Sequence, residues 1–358
     1  MTQRKRKRHS NPVQQLCHDG KATMSLGCLN CHTKPACGGL HVHAAMFSCR
    51  ALCCNKPAAC QSVCTRRGAA YINHLQEVHG LSLGGLSKLS AVKTPTLPPL
   101  VPMIYSRSRR ENVVRSPAVA IPLAAVIDRR EGNLKFADRA ALSEAFLFEP
   151  TAQIVISGVD VDQSLERYWS KARAAGVVQA IANLNPALVT TPNFSLFVDV
   201  PREDNLHNMK RIAICWHELV EAGIPTALHL NGRTDADWKN WISFLKEHAE
   251  IDALAIEFAT GLRNPARGEW HVEHLESLRR VVDRDLALVV RGNRFSERLK
   301  RSFPRLIEID TSIYMKSVKR QLSYKDGTHR KWRRTMTLID QPLDDLFQEN
   351  VDTVWGVR

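Results

Sequence analysis

Nine of the ten cysteines fall between Cys17 and Cys64. Thiolates crowded in this way point to metal ligation where the compartment keeps them reduced. The N-terminal MTQRKRKRHSNP has no apolar run behind its positive residues, so no secretory signal is expected and the chain is read as cytoplasmic. Cys28/Cys31, Cys49/Cys53 and Cys60/Cys64 are pairs with two or three residues between them. At that spacing a tight turn or one helical turn aims two side chains at one ion. Cys49, Cys53, Cys60 and Cys64 could complete one tetrahedral zinc site. Cys28, Cys31 and Cys37, with Cys17 or one of His18, His32, His41 and His43, could complete another. Zinc is the expected cofactor, with an iron–sulfur cluster as the alternative, since thiolate-only sets also hold clusters. The C-x3-C-x2-C pattern of radical enzymes fails: its third cysteine would fall at Lys56 or Arg67. Cys54 is a spare, and Cys215, beside Trp216, reads as apolar filling.

A second set of chemically able residues lies beyond residue 118. Apolar runs there end in Asp160 and Asp162, Asn193 and Asp199, His229 and Asn231, Glu257, Arg291 and Asn293, and Asp310 with Ser312. Converging carboxylates, a histidine and an arginine suit acid–base or phosphate-related chemistry. Asp160, His229, Glu257 and Asp310 each close an apolar run and are the candidate catalytic residues. A plainer role is open to each, because a polar residue just after a strand often caps the next helix, as Asp162 could. No nucleophile elbow, H-E-x-x-H or kinase signature is present, so no motif specifies the reaction.

The elements that must position these groups alternate in type. Candidate strands lie at 119–127, 153–159, 187–191, 225–230, 252–258, 285–291 and 305–310. Between them run helical stripes: Leu206, Met209, Ile212, Ala213, Trp216, Leu219 and Val220; Trp238, Trp241, Ile242 and Leu245; Val272, Leu275, Leu278, Val281 and Val282. Gly223 stands where a C-terminal cap is expected. This rhythm predicts an α/β fold, a (β/α) barrel in preference to an open sheet, with any chemistry at the carboxyl ends of the strands. The expected organisation is a basic arm at 1–16, a Cys-rich metal-binding module at 17–80, a Pro/Ser/Arg-rich linker at 81–117, the barrel at 118–340 and a tail at 341–358. No run is long and apolar enough for a transmembrane helix.

Charge separates the parts. Residues 1–117 hold 17 Lys or Arg against 3 Asp or Glu, so the whole net charge of +14 sits there. Such a balance suggests a polyanionic partner, nucleic acid first among them. A second basic patch comprises Lys316, Lys319, Arg320, Lys325, Arg330, Lys331, Arg333 and Arg334, interleaved with Tyr314, Tyr324 and Trp332. Such a patch can track a phosphate backbone and stack bases, or it can be a solvated helix–loop surface. The expected function is a barrel enzyme acting on DNA or RNA and tethered by the metal-binding module. The alternatives are a non-enzymatic nucleic-acid-binding protein with a scaffold barrel, and an iron–sulfur redox protein.

Pro192, Asn193, Phe194, Ser195, Leu196, Asp199 and Pro201, followed by a helix and Gly223, Ile224 and Pro225, resemble a family carried by phages and other mobile elements. Its mark is P-[ND]-F-S-L-x-x-D-x-P, and it brings no activity with it. The barrel rhythm and the late IDTSIYMKS are also similar to barrels of the tRNA-guanine transglycosylase type. Those use an aspartate nucleophile at the mouth and a zinc site. Here the cysteines precede the barrel and the aspartate-serine-glycine signature is missing, so the likeness implies fold and not activity.

Overall fold

The computed structural model describes residues 23–24, 41–42, 68–107, 109–197, 202–259, 265–326, 329–336 and 341–355. The eight candidate metal cysteines, Cys17 to Cys64, lie outside the described residues, as does Asp199. From the cysteine-bearing segment only an antiparallel pairing of Thr23–Met24 with His41–Val42 is described. The chain divides into two compact units.

The larger unit takes Leu86–Phe194, Ile212–Leu230 and Leu245–Arg358. It is built on eight parallel strands: β1 (Leu100–Pro102), β2 (Ala118–Pro122), β3 (Gln153–Ser157), β4 (Leu188–Thr190), β5 (Thr226–His229), β6 (Ala253–Glu257), β7 (Ala287–Arg291) and β8 (Leu306–Asp310). Each strand from β2 to β8 pairs with the next, and β8 pairs with β1. The ring is nearly closed between β1 and β2 by one bridge, Met103 with Ala120, where the Ile104 amide donates 2.8 Å to the Ala120 carbonyl. This is a (β/α) barrel. Between its strands come helices α2 (Arg139–Phe146), α3 (Asp162–Arg167), α4 (Val177–Asn183), α5 (Arg202–Glu221), α6 (Asp235–Glu247) and α7 (Pro265–Val282). After β8 come α8 (Ser312–Val318), a hairpin of β9 (Gln321–Asp326) and β10 (His329–Arg334), and α9 (Asp344–Trp355). No helix among the described residues is long and apolar enough to cross a membrane.

Strands buried on both faces read as continuous apolar runs, which is why seven of these were legible. The alternation within them sorts two faces. Ala118, Ala120, Val155, Leu188, Ala227, Ala253, Ala255, Ala287, Val289, Ile307 and Ile309 meet with Val101 and Met103 in one cluster drawn from all eight strands, the barrel interior. The intervening residues, among them Ile121, Ile154, Val189, Leu228, Leu254 and Val290, are buried on the outer face. Six alanines among these interior positions suit a narrow ring wrapped by helices.

Two expected boundaries are corrected. The segment expected as linker supplies β1, so the barrel begins before residue 118. Its prolines hid it: Pro102 has no N–H to give a ladder, and β1 sits where the ring is joined most thinly. The expected C-terminal tail is α9, with Leu343, Phe347 and Val351 buried. The α5 stripe is buried throughout, Cys215 with it, and Gly223 follows at φ 77° as a helix terminator. In the α7 stripe Val272, Leu275 and Leu278 are buried, while Val281 is 46% exposed.

The barrel's amino-terminal end is held by charge. The Asp252 carboxylate, just before β6, accepts from the Thr94 amide at 2.9 Å, Lys93 Nζ at 3.1 Å and Arg305 Nη2 at 3.2 Å. Burial works to raise its pKa, but these donors outweigh it and hold the carboxyl below its usual value.

The smaller unit takes Met1–Gly85, Ser195–Arg211 and Asn231–Phe244. Within it, helix α1 (Gly68–Glu77) faces the first half of α5. His74 stacks on His207 with ring centroids 4.1 Å apart, and His207 Nε2 lies 2.7 Å from Glu77 Oε2. Asn208 Nδ2 donates to the Ser195 carbonyl at 2.7 Å, which ties the P-N-F-S-L segment to the helix after it.

Candidate active site at the barrel mouth

Side-chain alternation carries the interior face up to the carboxyl ends of the strands. Two residues above Met103, Val155, Ala227 and Val289 stand Tyr105, Ser157, His229 and Arg291. Ser157, His229 and Arg291 end β3, β5 and β7, and Tyr105 follows β1; these are the odd strands. In a barrel of this kind alternate strands contribute the four side chains of one layer. The registers place Ser157, His229 and Arg291 at one level with Met103 as the fourth member, and Tyr105 stands one step above, so three of the four side chains in this layer are polar. Among the even strands, β6 contributes Glu257, which pairs in register with Arg291.

Arg291 organises the layer. Its Nη1 donates 2.8 Å to the Val159 carbonyl, just past β3 on the opposite side of the ring, and its Nη2 lies 3.4 Å from the Tyr105 hydroxyl. Its Nε is buried with no hydrogen-bond partner among the described residues. The same holds for Ser157 Oγ and His229 Nδ1. His229 is 2% exposed. Burial first, and the Arg291 charge second, push its pKa down to about 3, so the imidazole is neutral at neutral pH. Burial raises the Tyr105 hydroxyl; Arg291 opposes that, and the charges of Asp160 and Asp310 add to it.

Two glycines let the backbone close in around this layer. A β-carbon at Gly158 would overlap the carbonyl oxygens of Thr190 and Thr191. The Gly158 amide instead donates to Thr190 Oγ1 at 2.8 Å, and its carbonyl accepts from the Asn193 amide at 2.9 Å. Gly292 has φ 97°, and a β-carbon there would lie 2.9 Å from the Ala259 amide nitrogen.

The four favoured residues divide. His229 and Glu257 face inward at the mouth, Glu257 accepting from the Ala259 amide at 2.8 Å. Asp310 lies on the outer face of β8. Its Oδ1 caps α8, accepting from the Ser312 amide and hydroxyl at 2.6 Å each. Asp160 is half-buried in the loop after β3, where its Oδ1 takes the Val161 amide at 2.7 Å. Asp162 is the first residue of α3. Ser157 and Tyr105 were not among the candidates. Tyr105 fell in the expected linker, and Ser157 was taken as part of a strand.

The basic patch is likewise sorted. Most of it forms an antiparallel hairpin. Arg330 Nη2 bonds Asp310 Oδ2 and, at 3.1 Å, Ser312 Oγ, which fastens the hairpin to the carboxyl end of β8. Asn350 of α9, fully buried, accepts from the Ser323 amide at 2.7 Å and donates to Ser317 Oγ and the Gln321 carbonyl at 2.8 and 2.9 Å. Trp332 lies between Lys316 and Arg330, within 5.9 and 5.1 Å of its ring centre. Tyr324, Lys331 and Arg333 belong to the other face, which is exposed, with Arg333 over the Tyr324 ring at 5.8 Å. Lys316 and Lys319 lie at the end of α8, and Arg334 ends β10. Arg320 donates to the Gln341 carbonyl, and Tyr314 is buried with its hydroxyl 2.8 Å from Ser106 Oγ.

Among the described residues no group of three or more His, Cys, Asp or Glu is arranged to hold a metal ion. No family model, curated protein or solved structure matches the chain.

Proposed function

We propose that the chain is a barrel enzyme acting on DNA or RNA, in the setting of a mobile element, with its basic N-terminal module folded on zinc and serving as a tether. One observation carries the reading: Arg330 fastens the cationic hairpin to Asp310 at the same end of the barrel as the polar layer of Ser157, His229 and Arg291. A polyanion lying along Tyr324, Lys331 and Arg333 would pass beside the mouth. The hairpin supplies backbone charge and a ring for stacking; the mouth supplies polar groups in a dry setting where their interactions are strong. Two of the four strand-end residues act as caps, Asp310 on α8 and Asp160 on its own loop, and that favours the second reading, a scaffold barrel that binds nucleic acid without chemistry.

The test is a salt titration of single-stranded oligonucleotide binding by the full chain. Lys331→Ala with Arg333→Ala should lower the log–log slope by about 1.4, two phosphate contacts on a single strand. An unchanged slope removes the hairpin from the account. Incubation of an end-labelled oligonucleotide with wild type and with His229→Gln separates enzyme from scaffold.

A further inference from the structure

We propose that the odd-strand layer of the mouth is a phosphate-binding site, in which Arg291, Ser157 and His229 hold one phosphoryl group. Arg291 Nε, Ser157 Oγ and His229 Nδ1 are buried and have no hydrogen-bond partner among the described residues. A buried polar group left without a partner is costly, and three of them at one level favour a shared polar occupant. The three come from β7, β3 and β5, strands whose side chains share a layer. All three can donate: the guanidinium Nε–H, the hydroxyl, and the neutral imidazole with its proton on Nδ1. Three donors at one level of the barrel match in number the acceptor oxygens of a phosphoryl group.

Charge selects the same ligand. Among the described residues the guanidinium is met by the Val159 carbonyl and, at 3.4 Å, the Tyr105 hydroxyl. The carboxylates nearby are engaged elsewhere, Asp310 by Arg330 and Glu257 by the Ala259 amide. Among the described residues no carboxylate forms an ion pair with this arginine, and a guanidinium in that setting suits an oxyanion. Phosphate is preferred over carboxylate because of the nucleic-acid reading above, on which this inference rests.

Binding of inorganic phosphate, and of a trinucleotide with and without a 5′-phosphate, is measured by calorimetry on the full chain. Wild type should bind phosphate saturably and prefer the phosphorylated trinucleotide. Arg291→Met should weaken phosphate binding by about tenfold or more, with Arg291→Lys between the two. Ser157→Ala, a small change that keeps the fold, should weaken it by about threefold to tenfold. Lys331→Ala with Arg333→Ala should leave inorganic phosphate binding unchanged. If the hairpin variant loses oligonucleotide binding while wild type takes no phosphate, this inference fails and the nucleic-acid reading stands. If phosphate binds and the oligonucleotide does not, the nucleic-acid reading fails alone. Equal binding of phosphate by wild type and Ser157→Ala, or of acetate and phosphate by wild type, overturns the proposal.

Discussion

The Arg291 guanidinium and the Val159 carbonyl, 2.8 Å apart, join β7 to the loop after β3, a strand four places away around the ring. Ser157 and His229 share the level of Arg291.

The closeness of β3 and β4 at this level depends on Gly158. Gly158→Ala should cost about 3 kcal/mol, an overpacking penalty against backbone that cannot retreat without losing the Thr190 hydroxyl bond. Urea denaturation measures it, and a loss under about 0.5 kcal/mol would mean the two loops move apart freely.

His229 makes the barrel acid-sensitive. Its pKa falls from 6.5 to about 3 on folding, so below pH 6.5 the unfolded chain takes up a proton that the folded chain refuses. The associated stability is full above pH 6.5 and drains away between there and about pH 3, by up to about 1.4 kcal/mol per pH unit. His229→Gln should flatten the pH dependence of the urea midpoint across that window. Parallel curves for the two proteins would show that the folded histidine titrates normally.

Asp252 acts in a different range. Its folded pKa lies below the usual 3.8, so its contribution is present above that value and is lost as pH falls through the depressed one. At neutral pH, Asp252→Asn should cost about 2 kcal/mol, because Thr94 and Arg305 lose a charged acceptor. Lys93→Ala should cost about 0.5 kcal/mol or less, since that side chain is 78% exposed. Equal losses would mean that the Lys93 pair, not the buried bonds, carries the cluster.

Asn350 ties three elements. Asn350→Ala strands the Ser323 amide and should destabilise by about 2 kcal/mol. Amide exchange at Ser323 should quicken more than at Leu288 in β7. Uniform quickening would point to global loosening instead.

The cysteine block makes a separate expectation. Purified chain should carry zinc, or iron if the protein is brown, and chelation should unfold residues 17–80. Metal analysis finding neither would end the metal reading of Cys17 to Cys64.

Much of the barrel was legible because a strand buried on both faces reads as an apolar run, as in AVAIP or ALAIE, although the run at 119–127 continues past its strand into a short helix, Leu123–Val126. β1 was not, since prolines mimic a linker. The site was half legible. His229, Glu257 and Asp310 all end apolar runs, yet only the first two face inward. The clue lay in the small residues: Ala253 and Ala255 mark the inner face of β6 and lead to Glu257, as Ala227 leads to His229. Asp310 follows Leu306 and Glu308 on the outer face. Ser157 gave no signal, because a buried serine within an apolar run looks like filling until its hydroxyl is seen without a partner.

The lone Met103–Ala120 bridge gives the barrel the mechanics of a clasped band instead of a hoop. Seven joints are laddered, and the eighth is a single bridge, to which the Ile104 amide contributes. Tyr105, which touches Arg291, is the next residue along. Breathing of the clasp and release of one anchor of the mouth are then a single local motion. Its rate can be read from exchange at Ile104.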